Sequence, residues 1–140
     1  MKGFSIFEII LVISLLALLA ALTVPVGVRF YQFSILDDAT ETALTLLRRA
    51  QKQAIAEKNN SAFGVRFLPV SMDLFEGATY ATRIVSQDEV FNLPGGVTVS
   101  GLPEVDFAVI TGITTNVGSV VFSSGGRSKT ITINSKGLSY

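Results

Sequence analysis

Few residues in this chain are of the types that usually do chemistry. Its 140 residues include no histidine and no cysteine. That removes the commonest general base and metal ligand, and with them thiolate chemistry and disulfides. A hydrolytic or metal site would have to be built from Asp, Glu, Ser and Lys alone, and the expectation is a chain that is not an enzyme, with no cofactor and no metal. Gly125-Gly126-Arg127-Ser128-Lys129-Thr130 lacks the Gly-Lys-Ser/Thr ending of a phosphate loop and reads as a hairpin turn. Asp88-Glu89 lacks the dense ligand spacing of a calcium loop. Two features remain. One is Glu8, placed at the head of 20 uncharged residues running from Ile9 to Val28. The other is the group of cations Arg127, Lys129 and Lys136, which follow the last acid of the chain.

Lys+Arg and Asp+Glu are equal at 11 each, so net charge does not indicate nucleic acid. The charges are unevenly placed. Six acids and one base lie between Asp73 and Asp106, and three bases and no acid follow. Solvated surface charge explains this. The sharper alternative is an acidic band on one subunit meeting a neighbour's basic tail. The same cations could contact DNA phosphates, which would make binding steeply salt-dependent.

The elements that would position these groups are legible. Twenty helical residues span about 30 Å, the thickness of a bilayer core. A secretory signal would have a shorter apolar core and no acid before it. A plain single-pass anchor fits the length but leaves Glu8 and Pro25 without a purpose. Lys2 before the run favours a cytoplasmic N-terminus, and Arg29 after it weakens that inference. From Leu36 to Ala54 the residues Leu36, Ala39, Ala43, Leu47, Ala50 and Ala54 recur every three or four positions, which predicts a helix with one apolar stripe. Its small residues suit close packing on a sheet. Asp37, Asp38 and Glu41 at its start and Arg48, Arg49 and Lys52 later suit the helix macrodipole. Lys58-Asn59-Asn60-Ser61 reads as the stop; its glycosylation triplet is taken as a turn.

Beyond residue 60 the pattern becomes short strands. Phe63, Val65 and Phe67 alternate, and so do Val105, Phe107 and Val109. Ala78 to Val85, Val97 to Val99, Val120 to Phe122 and Thr130 to Ile133 are further strand expectations, with turns at Pro94-Gly95-Gly96, 123–126 and 134–137. The fold class is α+β: a long N-terminal helix, apolar in its first half, packed by its second half on a C-terminal antiparallel β lobe. Pro25, followed by Gly27, is a place for a kink or a break.

Gly3-Phe4-Ser5-Ile6-Phe7-Glu8 followed by a long apolar helix resembles the prepilin cleavage and methylation motif of type IV pilins and type II secretion pseudopilins. The resemblance implies that a membrane peptidase cuts after Gly3 and methylates the new N-terminus at Phe4. It implies that Glu8 pairs with the N-terminal ammonium of a neighbouring subunit and fixes axial register, and that Pro25 permits a kink or local melting. It divides the chain into a leader (1–3), a membrane or filament-core helix (4–28), a stem helix (29–58) and a β-rich head (59–140). Phe7 departs from the usual Leu, Ile or Val.

Gly64-Val65-Arg66-Phe67, Val121-Phe122, Gly125-Gly126 and Thr132-Ile133-Asn134-Ser135-Lys136-Gly137 are similar to the H-type minor pseudopilins and related minor pilins. The implied role is structural: a subunit of a type IV pilus or type II secretion pseudopilus, with its head outside the cell membrane. The implied partners are other copies or related pilin subunits, the prepilin peptidase, an inner-membrane assembly platform and, before assembly, membrane lipid. A minor pilin that binds DNA through Arg127, Lys129 and Lys136 is the alternative, and a plain membrane-anchored β domain is the simplest one.

Overall fold

A computed structural model of the chain describes residues 5–139. One helix, α1, runs from Ile6 to Ile55, about 75 Å at the usual rise. Ser5 caps it: the residue is extended and its hydroxyl accepts from the Phe7 amide at 3.3 Å. The helix continues through position 25, so Pro25 and Gly27 do not divide it into two elements. Pro25 cannot supply the amide that a regular helix would offer to the carbonyl of residue 21. At the far end the Ala56 amide still donates to the Lys52 carbonyl at 2.9 Å. Glu57 then turns left-handed at φ 52°, and a short 3-10 turn, Lys58–Asn60, follows. Asn59 and Asn60 are also left-handed, a conformation asparagine tolerates better than most residues. The helix thus stops three residues before the stretch read as its terminator.

Among the described residues eight strands follow: β1 (Phe63–Phe67), β2 (Ser71–Glu76), β3 (Glu89–Asn92), β4 (Thr98–Gly101), β5 (Glu104–Phe107), β6 (Gly118–Ser124), β7 (Arg127–Asn134) and β8 (Gly137–Ser139). They form two four-stranded antiparallel sheets, ordered β3-β2-β1-β5 and β4-β6-β7-β8. In the first, Val65 stands opposite Leu74 on one side and Val105 on the other. In the second, Val120 stands opposite Ile131. Both sheets contribute to a single core against α1. Leu36, Ala39, Ala43, Leu47, Ala50 and Ala54 are all buried there, with Ile35 and Leu46. Every position of the predicted stripe therefore faces the sheets. Alanine at four of them lets the strands approach the helix closely.

The β6–β7 hairpin closes through Gly125 and Gly126, at φ 57° and 80°, between the paired Ser124 and Arg127. A two-residue turn with both central φ positive is the kind whose twist suits a hairpin. It is a turn, as the sequence suggests.

Three strands, β2, β3 and the three-residue β8, escape sequence reading and one expected strand is absent. β2 is buried at all six positions, so no alternation marks it, and Asp73 and Glu76 disguise it further. β3 has its alternation reduced to four residues. Ala78 to Val85 is instead occupied by two 3-10 turns, Tyr80–Thr82 and Val85–Gln87. This segment straps the outer face of the first sheet. The Tyr80 ring meets Phe75 edge-on at 5.5 Å, and the Ile84 amide donates to the Glu76 carbonyl at 2.9 Å. Gly64 makes room for Phe75, since a Cβ there would lie 2.5 Å from its ring. Packing of the strap overrides its local strand propensity.

Candidate functional site

Among the described residues, the N-terminal half of α1 has no cover. Ile6 and Phe7 are 79% and 73% exposed, and Ile9, Ile10, Leu11, Val12, Ile13, Leu15, Leu16, Leu18 and Leu19 are all exposed as well. Phe30 and Tyr31 continue the exposed apolar surface up to the point where Ile35 enters the core. Fully burying one such side chain is worth about 1.5–3 kcal/mol. The group as a whole carries an unrealised hydrophobic term on the order of 10 kcal/mol or more. Ser14, the one hydroxyl in this stretch before Thr23, donates to the Leu11 carbonyl at 2.8 Å and needs no outside partner.

Among the described residues no helix is long and apolar enough to cross a membrane. The uncharged run 9–28 passes through positions 22–26, whose side chains, that of Pro25 included, lie outside the described residues. Gly3 and Phe4 lie outside them too. Glu8 is in the first turn of α1, exposed, with its amide donating to the Ser5 carbonyl at 3.0 Å. An acid there complements the positive end of the helix dipole, which is a local reason for its presence. That reason does not explain why the only carboxylate before Asp37 adjoins a bare apolar helix.

The cations after residue 107 are placed differently from one another. Arg127 stacks its guanidinium on the Phe33 ring at 3.8 Å. Lys129 reaches Asp37 at 2.7 Å. Both fasten the β6–β7 hairpin to α1. Lys136 sits in the β7–β8 turn, exposed, where its amide donates to the Asn134 side chain at 2.9 Å and its carbonyl accepts from Gln51 at 2.9 Å. The three therefore do not form one cluster around a common ligand. Two are engaged along the helix and one lies at the hairpin end beside Gln51.

The acids between residues 73 and 106 have partners within the chain. Asp88 binds Arg83 at 2.7 Å, Glu89 binds Arg49 through both oxygens, and Glu104 binds Arg66 at 2.9 Å. Glu76 accepts from Asn59, Asp106 from Asn116, and Asp73 from both Ser71 and Tyr80. The idea of an acidic band held out to a neighbour loses its basis, because these carboxylates tie the strap, the helix and the sheet edges together.

Among the described residues three groups are shifted. The Tyr80 phenol is raised, first by its bond to Asp73 and then by burial. The Arg83 guanidinium is raised, first by its bond to Asp88. The Asp106 carboxyl is raised by burial, against which the Asn116 bond works only in part. Tyr80 faces Asp73, Arg83 faces Asp88 and Asp106 feels Glu104, and among the described residues no group of three acids could hold a metal. The Tyr80–Asp73 and Arg83–Asp88 pairs brace the strap. Sequence reasoning missed them because the only available signal was a mixed polar segment.

No family model matches the chain, and no curated protein or solved structure matches it significantly.

Proposed function

We propose that this chain is a pilin-like filament subunit that waits in a membrane and assembles through the N-terminal half of α1. One observation carries the reading: a long apolar half-helix that its own head leaves bare, headed by a single carboxylate. Such a surface needs a second environment. Lipid suits it before assembly, since a helix satisfies its own backbone bonds. The same half of neighbouring copies suits it afterwards. Moving from lipid into a helix bundle keeps the side chains out of water throughout.

Glu8 then has a role that a plain anchor does not give it. Cleavage after Gly3 would leave an ammonium group on Phe4. In a packed bundle, that cation and the Glu8 carboxylate of a neighbour are each poorly solvated, so each demands the other. Desolvation offsets much of the attraction, and the pair acts more on register than on net stability. Pro25 weakens the helix at one point, where a subunit can lengthen under load without losing its head packing.

Intact mass and the N-terminal peptide of the protein from its own cells test the reading. A chain that starts at Phe4 with one added methyl supports it. A chain that keeps Met1 points to a plain anchor. A start beyond residue 20 means a secretory signal and removes the role given to Glu8. In the processed protein, Glu8→Ala should leave membrane insertion intact and abolish filaments. Normal filaments from that variant would sink the register argument.

A further inference from the structure

We infer that the stem half of α1 carries a second, ionic register between parallel copies of this chain, set by two charge triplets 11 residues apart. This rests on the filament reading and adds a contact that it does not contain. The acids Asp37, Asp38 and Glu41 and the bases Arg48, Arg49 and Lys52 have the same internal spacing, and each acid precedes its base by 11 residues. Eleven residues make about three turns, a rise of about 16.5 Å and a net rotation of only about 20°. All six side chains are exposed, with Asp37 and Arg49 at the flanks of the exposed face, where they reach Lys129 and Glu89 of the sheets.

The helix macrodipole accounts for Lys52, which lies in the last turn, but not for the acids. A macrodipole acts within the first and last turns. The acids lie about eight turns inside α1, because the helix begins at Ile6 and not near Leu36. Within each triplet, moreover, like charges stand at i and i+4, Asp37 with Glu41 and Arg48 with Lys52, which disfavours the helix locally. Intrachain partners relieve this in part. Lys129 binds Asp37 and Glu89 binds Arg49. Asp38, Glu41 and Lys52 form no ion pair among the described residues.

A second copy shifted by three turns along the axis places the acidic triplet of one stem beside the basic triplet of the other. The copies must be parallel, since their apolar halves have to share one membrane or one filament core. The stagger differs from the other register. A Phe4 amine reaching a neighbour's Glu8 spans four residues, about 6 Å of helix. The two contacts therefore join different pairs of neighbours. Exposed ion pairs are weak and screened by salt, so this contact selects the stagger while apolar burial holds the copies together.

Because the chain has no cysteine, disulfide trapping reads the stagger directly. Full-length chains carrying Glu41→Cys and Lys52→Cys, distinguishable by tag, are produced together in the native cells and oxidised. Within one chain the two positions are about 16.5 Å apart, far beyond the roughly 7 Å a disulfide spans, so every bridge joins two copies. The expected result is a mixed dimer about tenfold above that from Glu41→Cys with Ala56→Cys, a pairing about four residues out of step. Glu41→Lys should lower filament yield several-fold, and adding Lys52→Glu should restore it. Filaments that sediment normally but give no Glu41–Lys52 bridge would overturn the ionic register and leave the filament reading standing. Absence of sedimentable filaments from the wild-type chain, together with an unprocessed N-terminus, would overturn both.

Discussion

The two halves of α1 are one continuous helix with opposite relations to the rest of the chain. From Ile35 to Ala54 the apolar residues form a stripe that vanishes into the core, and charged residues occupy the remaining face. From Ile6 to Leu19 apolar residues occupy every face and none is covered. A stripe can be satisfied by one sheet-lined surface. A helix that is apolar all round cannot, because any single cover leaves most of it in water. On the filament reading proposed above, the first half is surrounded by lipid and then by several other helices. The second half is built to present a face.

Core truncation breaks this comparison most severely. Leu47→Ala removes a fully buried side chain between the helix and the sheets and should cost about 2–5 kcal/mol of head stability. Leu15→Ala, the same change in the bare half, should shift head unfolding by no more than about 0.5 kcal/mol. Thermal unfolding of the detergent-solubilised full chain measures both. Equal effects would mean that the first half is covered by its own head after all.

Tyr80→Phe sharpens the picture of the strap that backs the stem-facing sheet. It deprives the buried Asp73 of a donor and should cost about 1 kcal/mol. The pH dependence has a definite sign. A phenol whose pKa is raised in the fold keeps its proton longer in the folded state than in the unfolded one. Its contribution is complete below pH 10 and is lost as pH rises from 10 through the raised value. Denaturant titrations between pH 8 and 11 should show an alkaline loss in the wild type that is smaller in the variant.

Asp106 works at the other end of the scale. Its carboxyl is raised by burial, so it favours folding while protonated. That contribution falls as pH climbs from 3.8 through the raised value. Asp106→Asn should flatten this segment of an acid stability profile.

The smallest effects belong to the hairpin's hold on the stem. Arg127→Ala should cost about 0.5–1 kcal/mol through the lost stacking on Phe33. Lys129→Ala should cost close to nothing, since its ion pair with Asp37 is about half exposed on both sides. A DNA-retention assay on the same variants separates this fastening role from phosphate binding: retention that falls with either would give these cations a second use.

The legibility of this chain follows the same division. The helical stripe of the stem could be read because burial on one side of a helix imposes a 3.6-residue period on the sequence. β1 and the hairpin at Gly125-Gly126 were legible for similar reasons, one by alternation and the other by two residues that tolerate positive φ. β2 was not, because a strand buried on both faces has no period. The strap at 77–88 was misread because Tyr80 turns back onto Phe75 and Asp73 while Arg83 closes on Asp88, contacts that neither a strand nor a helix period encodes. The charge order at 37–52 was visible, but its meaning changed with the start of the helix.

Composition and periodicity alone establish an apolar run with one acid at its head, a stem with a single apolar face and a β-rich remainder, since no folding partner can alter them. Packing in three dimensions is what leaves that run uncovered, keeps the helix whole through Pro25 and turns Ala78 to Val85 away from a strand. It also decided that the acids of the head are spent on internal partners and that Arg127 and Lys129 are turned onto the stem. Those outcomes depend on which distant groups meet, and a contact between residues far apart in the chain leaves no spacing behind for a reader of the sequence to find.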